Sequence, residues 1–215
     1  MKNELLKRII SSILIIPIII FFVIKGSILF TFFILACFLI ASYEWHMISR
    51  KKKYYFFGFI FLILSFLSAF FLRINEFNNI HEFILVILIC VATDVGGFVF
   101  GKTFKGPKLT KISPNKTYSG MLGSYLLSII SVLVYVNYYS NYWCQPFCPS
   151  EIKLLLITIL ISSISQIGDL IISYFKRKSN IKNTGKLIPG HGGLLDRIDG
   201  MIFAVPFAFI LFKII

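Results

Sequence analysis

The sequence predicts an all-α, polytopic transmembrane helical bundle of about seven spans, with its chemistry gathered on the cytoplasmic side. Three observations carry this reading. Of 215 residues, 57% are hydrophobic and only 14% charged, at a mean hydropathy of +0.85, which excludes a soluble globule. The apolar residues fall into separate runs near the roughly 20 helical residues that a hydrocarbon core of about 30 Å requires. The 22 Lys and Arg, finally, crowd into the connections on one side.

The runs are 9–24, 27–43, 54–72, 83–101, 120–139, 152–172 and 201–215, the last one short. The first follows Lys7 and Arg8 as a signal peptide would. However, Ile24-Lys25-Gly26 leads straight into the next run with no small-residue cleavage site, so it reads as a retained anchor. With the N-terminus cytoplasmic and the C-terminus outside, 18 of the 22 basic residues lie inside, leaving Lys25, Arg73, Lys153 and Lys213 outside or near outer helix ends. The net charge of +13 then belongs to cytoplasmic loops beside anionic lipid headgroups, which argues against nucleic acid as a partner. Cys37 and Cys90 fall in spans as packing residues, while Cys144 and Cys148 share the outer loop N-Y-W-C-Q-P-F-C-P-S, where their spacing leaves a disulfide open.

No repeat or linker divides the chain, yet its chemistry is uneven. Residues 1–90 hold no aspartate, and Glu4, Glu44, Glu76 and Glu82 all fall outside the predicted spans, so this part reads as N-terminal scaffold. Residues 91–215 read as the catalytic region, with cytoplasmic loops 102–119 and 173–200. All four aspartates lie there. Asp94 sits seven residues inside the fourth run, roughly 10 Å deep at 1.5 Å per residue, and Asp169 takes a similar place in the sixth. A carboxylate in a span is costly unless it faces the bundle interior with a partner, so each is either functional or a structural ion-pair partner.

The segment from Ser173 to Asp199 combines six of the basic residues, a P-G-H-G-G turn and two aspartates. Asp196 and Asp199, three apart, share a face if D-R-I-D is helical, with Arg197 off that face. Together with Asp169 they form an oxygen-ligand set suited to Mg²⁺, with a second metal ion left open. Lys176, Arg177, Lys182 and Lys186 supply charge for phosphates, and the Gly-rich turn supplies backbone donors. His191 either contacts a phosphate or braces the turn; His46 and His81 read as interfacial residues.

These residues carry a resemblance. S-x-x-K-R, the following lysine and P-G-H-G-G-x-x-D-R-x-D, with G-D-L at 168–170, resemble the signature of the phosphatidate cytidylyltransferases, or CDP-diacylglycerol synthases. S-P-N-K-T-Y-S-G at Ser113–Gly120 and D-V-G-G-F-V-F-G-K at Asp94–Lys102 are similar to two further segments of that family, so the likeness runs in order through residues 94–200. It implies transfer of cytidylyl from CTP to phosphatidate, giving CDP-diacylglycerol and pyrophosphate, in a bacterial inner (plasma) membrane. The partners it implies are CTP, phosphatidate and membrane lipids, with a homodimer left open. It assigns Asp169, Asp196 and Asp199 to metal, and Lys176, Arg177, Arg197 and Lys116 to phosphates. Ser113, Thr117 and Ser173 add hydroxyls, Gly192 and Gly193 backbone donors, and Asp94 and His191 substrate contacts. Ser119, Ile172 and Asn183 stand where the family carries acidic residues, from which a net cationic bias of the site is expected. A CTP-dependent kinase or transferase on a polyprenol, and a non-catalytic lipid-phosphate transporter, are the alternatives.

Overall fold

Lipid offers the backbone no hydrogen-bond partners, so apolar runs of this length close on themselves as helices. A computed structural model describes residues 17–74, 79–110, 113, 116–138, 150–185, 187 and 192–214. Its helices are α1 (17–25), α2 (Ser27–Ser49), α3 (Tyr55–Ile74), α4 (Asn79–Phe104), α5 (Tyr118–Tyr138), α6 (Glu151–Lys178), the single turn α7 (Leu195–Ile198) and α8 (Met201–Ile214). Among the described residues the only ladder contact is one bridge between Lys108 and Thr117.

Helices α2 to α6 are each long and apolar enough to cross a membrane, whereas α8, with 14 residues, is shorter, as the seventh run predicts. Most of the first run lies outside the described residues, as do Cys144 and Cys148. At the described end of that run, Arg73 of α3 donates from Nε to the Val23 carbonyl at 2.9 Å, placing a cation on the C-terminal carbonyls of α1.

Helix ends depart from the apolar runs, and the departures matter. α2 continues six residues beyond Tyr43, held by Trp45 Nε1 donating to the Tyr55 carbonyl (3.1 Å) and by the His46–Tyr55 contact (2.8 Å). Glu44 therefore lies inside a span, and so does Glu82 in α4, contrary to the sequence reading. α4 extends to Phe104, so Asp94 is ten residues, or about 15 Å, from the helix end rather than about 10 Å. α6 spans 28 residues, about 42 Å, and its last turns carry Ser173, Lys176 and Arg177 past the apolar stretch.

Small residues bring α4 and α5 into backbone contact, the usual device where lipid supplies no hydrophobic drive between helices. A Cβ on Gly120 would stand 2.7 Å from the Gly97 carbonyl oxygen, and one on Gly96 would overlap the Gly123 carbonyl. Below this seam Ser124 of α5 donates to the Thr93 carbonyl of α4 (2.7 Å), and Thr93 Oγ1 donates to Ser162 Oγ of α6 (2.8 Å). Three helices are thereby tied together directly beneath Asp94.

Apolar packing falls into two clusters. One joins Phe30, Leu85, Val86, Ile89, Val132 and Ile161. The other gathers Trp45, Ile48, Leu62, Ile172, Leu195 and Ile202, so that α7 packs into it through Leu195. Ile172, 3% exposed, points into this core.

Candidate active site

Where α4, α5 and α6 end together they line a cavity of about 420 Å³, to which Asn183, Asp196, Arg197 and Asp199 also contribute. Asp94 comes from α4, Ser113, Lys116 and Thr117 from the connection into α5, and Asp169 and Lys176 from α6; Asp196, Arg197 and Asp199 come from α7 and its end. These nine expected site residues meet although up to 105 positions separate them. Described residues of both expected loops, Ser113, Lys116 and Thr117 on one side and Lys176, Asn183, Asp196, Arg197 and Asp199 on the other, line this one cavity. Arg197, expected off the shared face of Asp196 and Asp199, lines the same cavity as both.

Ion pairs organise the walls. Lys116 pairs with Asp169, whose Oδ1 also accepts from Ser173 Oγ at 3.3 Å. Lys176, only 9% exposed, reaches Asp196 Oδ1 at 2.9 Å and Asp199 Oδ2 at 3.8 Å. Burial, reinforced by the negative charge of Asp169 and Asp94, outweighs Lys176 and holds the Asp199 carboxyl well above the usual carboxylate range. The described lining brings four acidic side chains, Asp94, Asp169, Asp196 and Asp199, together with three cations, Lys116, Lys176 and Arg197.

Of the other expected residues, Gly192 and Gly193 are buried in the turn before α7, and the Gly193 amide donates to Asp196 Oδ2 at 3.0 Å. Gly192 adopts φ +93°, which only glycine takes without strain, and a Cβ there would stand 2.7 Å from Asp196 Oδ2. Arg177 is exposed on α6 and is not among the lining residues. His191 and Lys186 lie outside the described residues.

Asp196 is heavily engaged: besides Lys176 it accepts the Thr184 amide at 2.8 Å and the Gly193 amide. On the other side of the same turn stands a residue the sequence reading placed in the scaffold. Glu44 of α2 accepts from the amides of Leu194 (2.9 Å) and Leu195 (2.8 Å) and from the Thr184 hydroxyl (2.8 Å). A carboxylate only one residue beyond an apolar run was the one signal that could have marked it.

Among the described residues no three Asp, Glu, His or Cys side chains stand close enough to cage a metal by themselves. The donor set instead fits a cation held by one or two carboxylates and completed by substrate phosphates, the usual mode for Mg²⁺. Asp169 and Asp199 line the same cavity, and the negative charge of Asp169 is one of the causes that raise the Asp199 carboxyl, so a cation placed between them would relieve that repulsion.

Comparison with known proteins gives a consistent picture. The profile of the Cytidylyltransferase family matches residues 53–215. A protein named Phosphatidate cytidylyltransferase from Rickettsia typhi is 37% identical over 216 residues, covering 97% of this chain and 92% of the relative. A Rickettsia prowazekii protein of the same name is 34% identical with the same two coverages. A Staphylococcus haemolyticus protein, again so named, is 38% identical over 133 residues, which is 60% of this chain and 48% of that one.

Proposed function

The chain belongs to the cytidylyltransferase family, and from that membership we propose that it transfers the cytidylyl group of CTP to phosphatidate, leaving CDP-diacylglycerol in the membrane and releasing pyrophosphate. The observation that carries this is the likeness to phosphatidate cytidylyltransferases over nearly the whole chain, at 37% identity in the Rickettsia typhi protein. The cavity supports the same reading from chemistry: it combines lysines, arginine and carboxylates at the end of a lipid-embedded bundle.

A phosphate oxygen of phosphatidate attacks the α-phosphorus of CTP, and the bond from that phosphorus to the bridging oxygen of the β-phosphate breaks. The nucleophile is already an anion, so no base has to remove a proton. The work left to the protein is to hold two mutually repelling anions in line and to compensate charge on the departing pyrophosphate. Lys116 and Arg197 both line the cavity and meet phosphate oxygens. Lys176, fixed between Asp196 and Asp199, holds the two carboxylates in place and adds charge. Thr117 and Ser113 offer hydroxyl donors from the α5 side, and Ser173 orients Asp169.

Asp169 and Asp199 would hold Mg²⁺, which when bound supplies positive charge to the phosphate oxygens. The charge balance of the walls supports a role for it. Lys116 and Lys176 are already paired with carboxylates, which leaves little protein charge to offset two phosphorylated substrates.

The direct test is CTP-dependent pyrophosphate release by purified protein in mixed micelles, with phosphatidate, a polyprenol and no acceptor as separate arms. Release with phosphatidate alone is expected; release with polyprenol alone would move the assignment to a CTP-dependent kinase.

We further place the cavity on the cytoplasmic side of an inner membrane, because the loops that meet there carry most of the basic residues that remain inside such a membrane. Lys108→Cys and Lys182→Cys, in a background without the four native cysteines, are expected to react with a membrane-impermeant maleimide only after cells are opened. Labelling of intact cells at either position would reverse the orientation.

A further inference from the structure

Glu44 has no part in the chemistry above, yet it is 3% exposed and accepts three hydrogen bonds in a place where an unsatisfied carboxylate would be very costly. Its partners are two amides and one hydroxyl, and no Lys or Arg forms an ion pair with it among the described residues. It therefore does not offset a buried cation. What it holds is a turn.

That turn is gripped from both sides. Thr184 gives its hydroxyl to Glu44 and its amide to Asp196, and the chain around 193–195 gives the Leu194 and Leu195 amides to Glu44 and the Gly193 amide to Asp196. The grip leaves no room for side chains: a Cβ on Gly193 would overlap Thr184 Oγ1 and the Glu44 carboxylate, and one on Gly185 would stand 2.8 Å from Glu44 Oε1. Immediately after it the chain delivers Asp196, Arg197 and Asp199 to the cavity.

We propose that Glu44 is a positioning residue for cytidylyl transfer, acting through Thr184 and the Leu194 and Leu195 amides to set Asp196, Arg197 and Asp199 against α6. The inference rests on the reaction proposed above. It makes α2 part of the active site's frame rather than only an anchor.

Glu44→Gln preserves volume, but one of its two terminal atoms becomes a donor facing donors. Thr184→Val removes the shared hydroxyl alone. Each is measured as kcat and as KM for CTP, per folded molecule in monodisperse detergent preparations, with Phe30→Ala in the distant core as a variant that only destabilises. Loss of hydrogen bonds to a charged group predicts a fall in kcat of about 10- to 100-fold for Glu44→Gln, with little change in KM. Phe30→Ala is expected to lower yield but not kcat per folded molecule. The double variant is expected to be no worse than Glu44→Gln, because both changes act through one turn. Wild-type kcat in folded Glu44→Gln, or additive losses in the double variant, would overturn the proposal. Should Glu44→Gln not fold, Thr184→Val carries the test, with wild-type kcat again overturning it. An inactive parent protein would sink the reaction itself, and amide exchange at Leu194 and Leu195, expected to be faster in Glu44→Gln, then decides whether Glu44 sets the turn.

Discussion

Asp169→Asn is expected to lower pyrophosphate release by about 10²- to 10³-fold while leaving the protein folded, the magnitude typical of removing one preorganised electrostatic group from an active site. Asp169 stands at the centre of the charged walls: it pairs with Lys116, accepts from Ser173, and faces Asp199. Asparagine keeps the shape and the acceptor for Ser173 but removes the charge. Lys116 then lacks its partner, and the carboxylate pair that would hold the cation is reduced to one. Steady-state assays at saturating CTP and raised Mg²⁺ check this, since a loss due only to weaker cation binding would recover with concentration. A near-parental rate at every Mg²⁺ concentration would remove Asp169 from the site.

The second large effect is on stability. Lys176→Met deletes the ammonium that two buried carboxylates share, with side-chain exposures of 11% for Lys176 and 7% and 11% for Asp196 and Asp199. Breaking a buried pair by removing one partner costs about 3–5 kcal/mol, because the remaining charge stays desolvated. The midpoint of thermal unfolding in detergent is therefore expected to fall by many degrees, together with activity. Protonation of Asp199, already favoured by its surroundings, absorbs part of the penalty, so the loss is expected to be smaller at acidic pH. An unchanged midpoint at neutral pH would mean that Lys176 is not the compensating charge.

How far the sequence reached can be judged residue by residue. Asp94, Asp169, Asp196 and Asp199 stood out because a carboxylate beside an apolar run is rare and expensive, and all four line one cavity. The helical class and most spans followed from apolar length alone. Helix ends did not, because polar residues at headgroup depth continue a helix wherever tertiary contacts support it, as Trp45 and His46 do for α2. That error hid Glu44, whose partners lie 140 and more residues away and leave no mark on local periodicity. The inward turn of Ile172 was equally hidden, since no pattern in a single apolar helix says which side faces protein and which faces lipid.

The glycine contact between α4 and α5 has a consequence for work in a bilayer whose thickness varies with temperature and composition. Helices that touch through long side chains accommodate such changes by tilting and sliding separately. Two helices in backbone contact at Gly96–Gly123 and Gly97–Gly120 have no compressible layer between them and must tilt as one body. Asp94 rides on one member and Thr117 lies at the start of the other, so the gauge of the cavity between them is set by main-chain thickness rather than by the surrounding lipid. An enzyme whose acceptor is itself a component of the membrane thereby keeps a fixed calliper while its solvent, which is also its substrate reservoir, changes around it.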